Sequence, residues 1–236
     1  MAQIGHGYGS EWQLLRMLGH HREYLFRELR KQLSLSPDAE IQWLDYPFDG
    51  SSKPGISGDK EYKKREFFEK IPEIFTPEIL SEFKKDEFGS KLNQNWDGIF
   101  WVGKVVYIVE AKAHVKEIIS DCQSDNKKSL SIIEGYFKET RDYFNISCDN
   151  DWKKTYYQMA NRLAFLKLLN SHGVDARLVN IYFIDGYEKK TRDPINKNTT
   201  HEEWVTAIQE EENYLGISQL KDKMVFPVFV NCKKEE

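Results

Sequence analysis

Cysteine is scarce in this chain. Cys122, Cys148 and Cys232 are the three among 236 residues, and no two of them form a C-x-x-C pair. That excludes a disulfide framework and a structural zinc site, and it fits a reducing cytoplasm. Long apolar runs are missing too. No stretch is long enough to span a bilayer, and Met1–Gly9 carries no basic-then-apolar leader, so no membrane association is expected. An excess of positive charge is also lacking. The net charge is −4, so no global field attracts a polyanion, and any such partner would need a local basic surface. Neither an internal repeat nor a low-complexity tract interrupts the chain.

What is present suits one large domain over residues 1–236. The chain is 40% hydrophobic and 14% aromatic, ample material for a core. Its most informative stretch is Asn95–His114, which reads as a β-hairpin turning at Gly103-Lys104. A two-residue loop with Gly first favours a type II′ turn, because Gly accepts the positive φ required there. The flanks are β-branched and aromatic, as strands prefer.

The turn sets the register. Val102 faces Val105, Trp101 faces Val106 and Ile99 faces Ile108. Continued outward, Asp97 falls opposite Glu110, and Asn95 opposite Lys112. Alternation puts Asp97, Glu110 and Lys112 on one face. Directly opposed residues have Cβ atoms roughly 4.5–5.5 Å apart, and two carboxylates held that close repel unless a cation compensates them. A divalent metal is the natural candidate, with Lys112 as a nearby positive charge. The bland alternative is a cross-strand ion pair at the rim of a sheet. Val105–Val109 is a continuous apolar run, which predicts a central strand covered on both faces.

Around the hairpin, Ser10-Glu11-Trp12-Gln13 has the form of a capping box opening a helix to about Leu33. Ile41–Phe48 reads as a strand with Pro47 at an edge, and 49–60 as a loop. Two short helices are expected over 61–71 and 77–88, a helical insertion around 61–88. Residues 117–144 read as mostly helical, with an interruption near 124–127. Residues 152–170 form a nearly all-round apolar helix, capped by Gly173. Within it Gln158, Asn161 and Arg162 share a face, lining either a polar site or an internal network. A strand follows over 176–184, then a polar loop over 185–199 with Lys189, Lys190, Arg192 and Lys197. Thr200-His201-Glu202-Glu203 opens a helix to about Tyr214. A last strand spans 225–230, with Pro227 marking an edge.

An Asp on one hairpin strand, a hydrophobic run into Glu110-Ala111-Lys112 on the next, and a later helix with Gln158, Asn161 and Arg162 resemble the PD-(D/E)XK nuclease superfamily. Trp96 stands where that name has proline. The resemblance implies an α/β fold: a restriction-endonuclease-like core, with a central mixed β-sheet, a β-hairpin carrying the site, and flanking helices. It implies Mg²⁺ or Mn²⁺ held by Asp97, Glu110 and the Ala111 carbonyl. Lys112 would orient or deprotonate the attacking water, and Gln158, Arg162 and Asn161 would hold phosphate or water. A glutamate on the first core helix often completes such sites. Glu11 is the candidate, with Glu23, Glu28 and Glu66 behind it. The implied partner is nucleic acid, DNA first, and many nucleases of this fold act as homodimers.

The expected function is therefore metal-dependent hydrolysis of DNA phosphodiesters in restriction, defence or repair. A binding module of the same fold with weak or no catalysis is the alternative. A glycosidase using two close carboxylates ranks third, because it leaves Lys112 without a role.

Overall fold

The computed structural model describes residues 9–45, 62–63, 66–85, 94–186 and 198–233. Its helices are α1 (Ser10–His20), α2 (Arg22–Gln32), α3 (Pro77–Lys85), α4 (Lys127–Phe144), α5 (Tyr157–Ser171) and α6 (His201–Leu215). Its strands are β1 (Gln42–Trp43), β2 (Tyr62–Lys63), β3 (Asn95–Trp96), β4 (Gly98–Val102), β5 (Val105–Lys112), β6 (Ala176–Ile184) and β7 (Val225–Asn231).

Five strands make one mixed sheet in the order β1-β4-β5-β6-β7, and β2 pairs with β3 apart from it. The β1–β4 and β4–β5 pairs are antiparallel, whereas β5–β6 and β6–β7 are parallel. The hairpin register matches the expectation from Val102↔Val105 down to Gly98↔Val109. Gly103 has φ 57°, as the first position of a type II′ turn requires. β5 lies at the middle of the sheet, and β7, with Pro227, lies at its edge.

Alternation along β5 sorts side chains to two cores. Tyr107, Val109 and Ala111 meet Leu14, Met17, Leu25 and Leu29 of α1 and α2. Val106 and Ile108 face the opposite way, among Leu163 and Leu166 of α5 and Trp204 and Ile208 of α6. Helices thus cover both faces of the sheet, which is why β5 reads as an unbroken apolar run.

Several expectations are corrected. The first helix is two helices, broken at His21, whose φ is −130°. Gly19 weakens the helix before the break, and the Arg22 guanidinium takes the Leu18 carbonyl at 2.9 Å. No capping box forms at its start. Gly9 is the N-cap, Ser10 is already helical, and Gln13 donates to the Gly186 carbonyl instead.

Among the described residues of 61–71 the expected α-helix does not form. Tyr62–Lys63 pairs with Asn95–Trp96, and only a short 3₁₀ turn forms at Phe68–Lys70. Residues 118–126 are not helical, and α4 starts at Lys127, capped by the Asn126 side chain. α5 begins at Tyr157 rather than near residue 152. The expected capping box at Thr200 is present, and its helix runs to Leu215. The loop expected over 49–60, the end of the strand toward Phe48, the end of the helix toward Phe88 and the basic residues Lys189, Lys190, Arg192 and Lys197 lie outside the described residues.

Candidate functional site

Pairing of β4 with β5 stops at Gly98, one residue short of Asp97. A Cβ on Gly98 would sit 2.5 Å from Cζ2 of Trp43, a buried β1 residue stacked on Phe100. Glycine lets the indole lie against the backbone there. Asp97 occupies the bend between β3 and β4, and its Oδ2 accepts the Ala111 N–H at 2.8 Å. A carboxylate thus replaces β4 as the partner of β5. In a strand, the N–H and C=O of one residue point to the same side, so the Ala111 carbonyl also faces Asp97.

The even-numbered residues of β5 point toward α5. Glu110 is buried there and fully engaged. Its Oε1 accepts from Lys112 Nζ at 2.5 Å and from Gln158 Nε2 at 2.8 Å. Its Oε2 accepts from Arg162 Nε at 2.7 Å. Gln158 Oε1 in turn accepts from Lys112 Nζ at 2.9 Å. Gln158 and Arg162 reach Glu110 together because four residues along a helix return to the same face. Trp96 carries Arg162 from below, with the guanidinium carbon 4.7 Å from the ring centroid.

Charge follows this geometry. Burial alone would raise the Glu110 carboxyl, but Arg162 and Lys112 hold it below its ordinary value. Burial would lower the Lys112 ammonium, yet Glu110 and Asp97 hold it above its ordinary value. Lys112 is therefore a charged donor rather than a base. Asp97 differs: burial and the Glu110 charge push it well above the usual carboxylate range, against the pull of Lys112. The acid left short of positive charge is Asp97, beside the Ala111 carbonyl.

The remaining expected residues divide. Asn161 makes no hydrogen bond to Glu110, and its backbone carbonyl accepts from Gln94 Nε2. Glu11 is half-buried in the first turn of α1, and among the described residues no three His, Cys, Asp or Glu side chains form a metal-sized group. The structure thus does not draw Glu11 into one such group with Asp97 and Glu110. Glu23 and Glu66 are exposed, and Glu28 accepts from Gln32 on its own helix.

Two acids escaped the sequence reading. Glu117 accepts the Ala113 N–H at 3.2 Å, just beyond β5 and two residues on from the bond made by Asp97. Burial raises its carboxyl above the ordinary value. Glu211 of α6 is buried behind Lys112, and burial raises it to about 8. The signal for Glu211 was present. Trp204, Ile208, Glu211 and Leu215 fall at the helical spacing of a buried stripe, and all four are buried. Only the acid breaks its apolar pattern.

A scan of family models, a search of curated proteins and a search of solved structures each find no match to this chain. No helix among the described residues is long and apolar enough to cross a membrane.

Proposed function

We propose that this protein is a divalent-metal-dependent nuclease of the PD-(D/E)XK type, with a restriction-endonuclease-like core, that hydrolyses DNA phosphodiester bonds. One observation carries the reading. Asp97 bonds the Ala111 backbone within Glu110-Ala111-Lys112, so both acids and the lysine converge at the end of one central strand. The parallel β5–β6 pair and the Gln158–Arg162 face of α5 support it.

The donor set fits Mg²⁺ or Mn²⁺. Asp97, Glu110 and the Ala111 carbonyl are hard oxygen donors, and Mg²⁺ keeps several waters, so few protein ligands suffice. The elevated Asp97 carboxyl marks where added positive charge is favoured. When bound, such an ion would polarise a phosphoryl oxygen and acidify a coordinated water.

The chain's own residues supply the rest. Lys112, kept charged by Glu110, places a fixed positive charge beside the negative charge growing on phosphate. Gln158 fixes the Lys112 ammonium by accepting from it while donating to Glu110. Arg162 offsets the Glu110 charge and orients its carboxylate. DNA as substrate, a cytoplasmic setting, a role in restriction, defence or repair, and a homodimer cutting both strands belong to the same proposal.

A second reading has one observation in its favour. Lys112, Gln158 and Arg162 already satisfy both Glu110 oxygens, so a nucleic-acid-binding module of this fold could keep the cluster for structure alone. Calorimetric titration with Mg²⁺ and Mn²⁺ separates the two. The nuclease reading expects saturable binding by the wild type that weakens at least tenfold in Asp97→Asn and Glu110→Gln. DNA binding with no metal uptake, even with DNA present, would support the binding module instead.

A further inference from the structure

Behind the Glu110–Lys112 pair lies a small cavity of about 20 Å³, lined by Lys112, Gln158, Asn180, Tyr182 and Glu211 among others. Strand pairing explains the floor: Lys112 is adjacent to Tyr182, and Glu110 to Asn180, across β5 and β6. α6 supplies the roof through Glu211.

Two groups facing this space have unused hydrogen-bonding capacity. A lysine ammonium has three N–H bonds. Lys112 directs hydrogen bonds to Glu110 and Gln158, which leaves one. Glu211 is only 4% exposed and lines the same space, and a carboxyl has several acceptor sites. A buried polar group gains from a partner, and a cavity needs at least roughly 10–15 Å³ to take one water.

We propose that Glu211 is a positioning residue for Lys112, and that the two are joined by one water buried in the cavity between them. The water accepts the third Lys112 N–H and donates to a Glu211 oxygen. Asn180 and Tyr182 offer it further polar neighbours. Lys112 is then held from three sides, by Glu110, Gln158 and the water. The functional side of this inference rests on the nuclease reading, in which the ammonium must be fixed before substrate arrives.

Nearby charges agree with a neutral, hydrogen-bonding Glu211. Lys112 lowers its carboxyl, whereas burial, Glu212 and Glu110 raise it, and the net result is the value near 8. Glu212 itself pairs with Lys221, at 3.3 Å.

The test observes the Lys112 ammonium directly, by ¹⁵N NMR of metal-free, DNA-free protein. The wild type should show a slowly exchanging Lys112 N–H signal with a cross-peak to a long-lived water. Glu211→Gln, which keeps the hydrogen-bonding end, should preserve the signal. Glu211→Met should shift it, and should lower kcat for DNA cleavage about tenfold with KM unchanged, the size expected for one hydrogen bond to a charged group. An unshifted ammonium in folded Glu211→Met overturns the proposal. If that variant does not fold, absence of the water cross-peak in the wild type overturns it equally. A shifted ammonium in a protein that cuts no DNA keeps the positioning role and removes the nuclease reading.

Discussion

Asp97 takes the Ala111 N–H at 2.8 Å, at the point where β4 ceases to pair with β5. A side chain thereby completes the edge of the central strand, and its acid comes to the Glu-x-Lys end of that strand. Gly98 makes the arrangement possible by admitting Trp43. Gly98→Ala should force the indole off Phe100, destabilise the fold by about 1–3 kcal/mol and loosen Asp97. Urea denaturation checks the first effect, and metal affinity the second.

Arg162 is the principal cation on a buried acid. Arg162→Met leaves Glu110 with Lys112 and the neutral Gln158, and removes the guanidinium from Trp96. Breaking a buried pair from one side costs about 3–5 kcal/mol, far more than a surface ion pair. Denaturant titration should show that loss. Arg162→Met combined with Glu110→Leu should recover only part of it, because the second change removes the stranded acid but leaves the buried Lys112 without its ion-pair partner.

Two buried acids give opposite pH slopes. The Glu110 carboxyl lies below its ordinary value in the folded protein, so its stabilisation is present above that value and fades as the pH falls. The Glu211 carboxyl is raised from 4.5 to about 8, so the folded state holds a proton that the unfolded chain has lost. Its stabilisation is full below the unfolded value, and it drains away as the pH rises toward 8. The slope between is about 1.4 kcal/mol per pH unit. Denaturation midpoints from pH 5 to pH 9 should fall in the wild type, and should fall less in Glu211→Gln.

Gly103 holds the turn at φ 57°, with no atom within 4 Å of where a Cβ would be. Gly103→Ala meets no clash, so its cost is conformational, about 1 kcal/mol. A thermal melt should register the change, while metal affinity should stay at the wild-type value because the register beyond the turn is unaffected.

The hairpin was legible because its information is local. Gly103 sets the turn, β-branched residues flank it, and alternation then fixes which side Glu110 and Lys112 take. Gln158 and Arg162 were legible as polar exceptions on an apolar helix, although the Asn161 side chain beside them meets Tyr157 rather than Glu110. The break at His21 was not legible, since the Arg22 side chain that satisfies Leu18 acts across it. The pairing of Tyr62–Lys63 with Asn95–Trp96 depends on residues more than thirty apart, which no local pattern reports. Glu211 stood in plain view within a buried stripe, but its meaning depends on Lys112, ninety-nine residues earlier.

The most direct measurement is cleavage of single- and double-stranded DNA by the wild type, Asp97→Asn and Lys112→Met, with Mg²⁺ or Mn²⁺ supplied. Cutting by the wild type that falls by about a hundredfold or more in both variants is the expected result, as when a principal charge-stabilising group is removed. A wild type inert on both substrates with either metal, or an Asp97→Asn protein that cuts as fast as the wild type, would contradict the account.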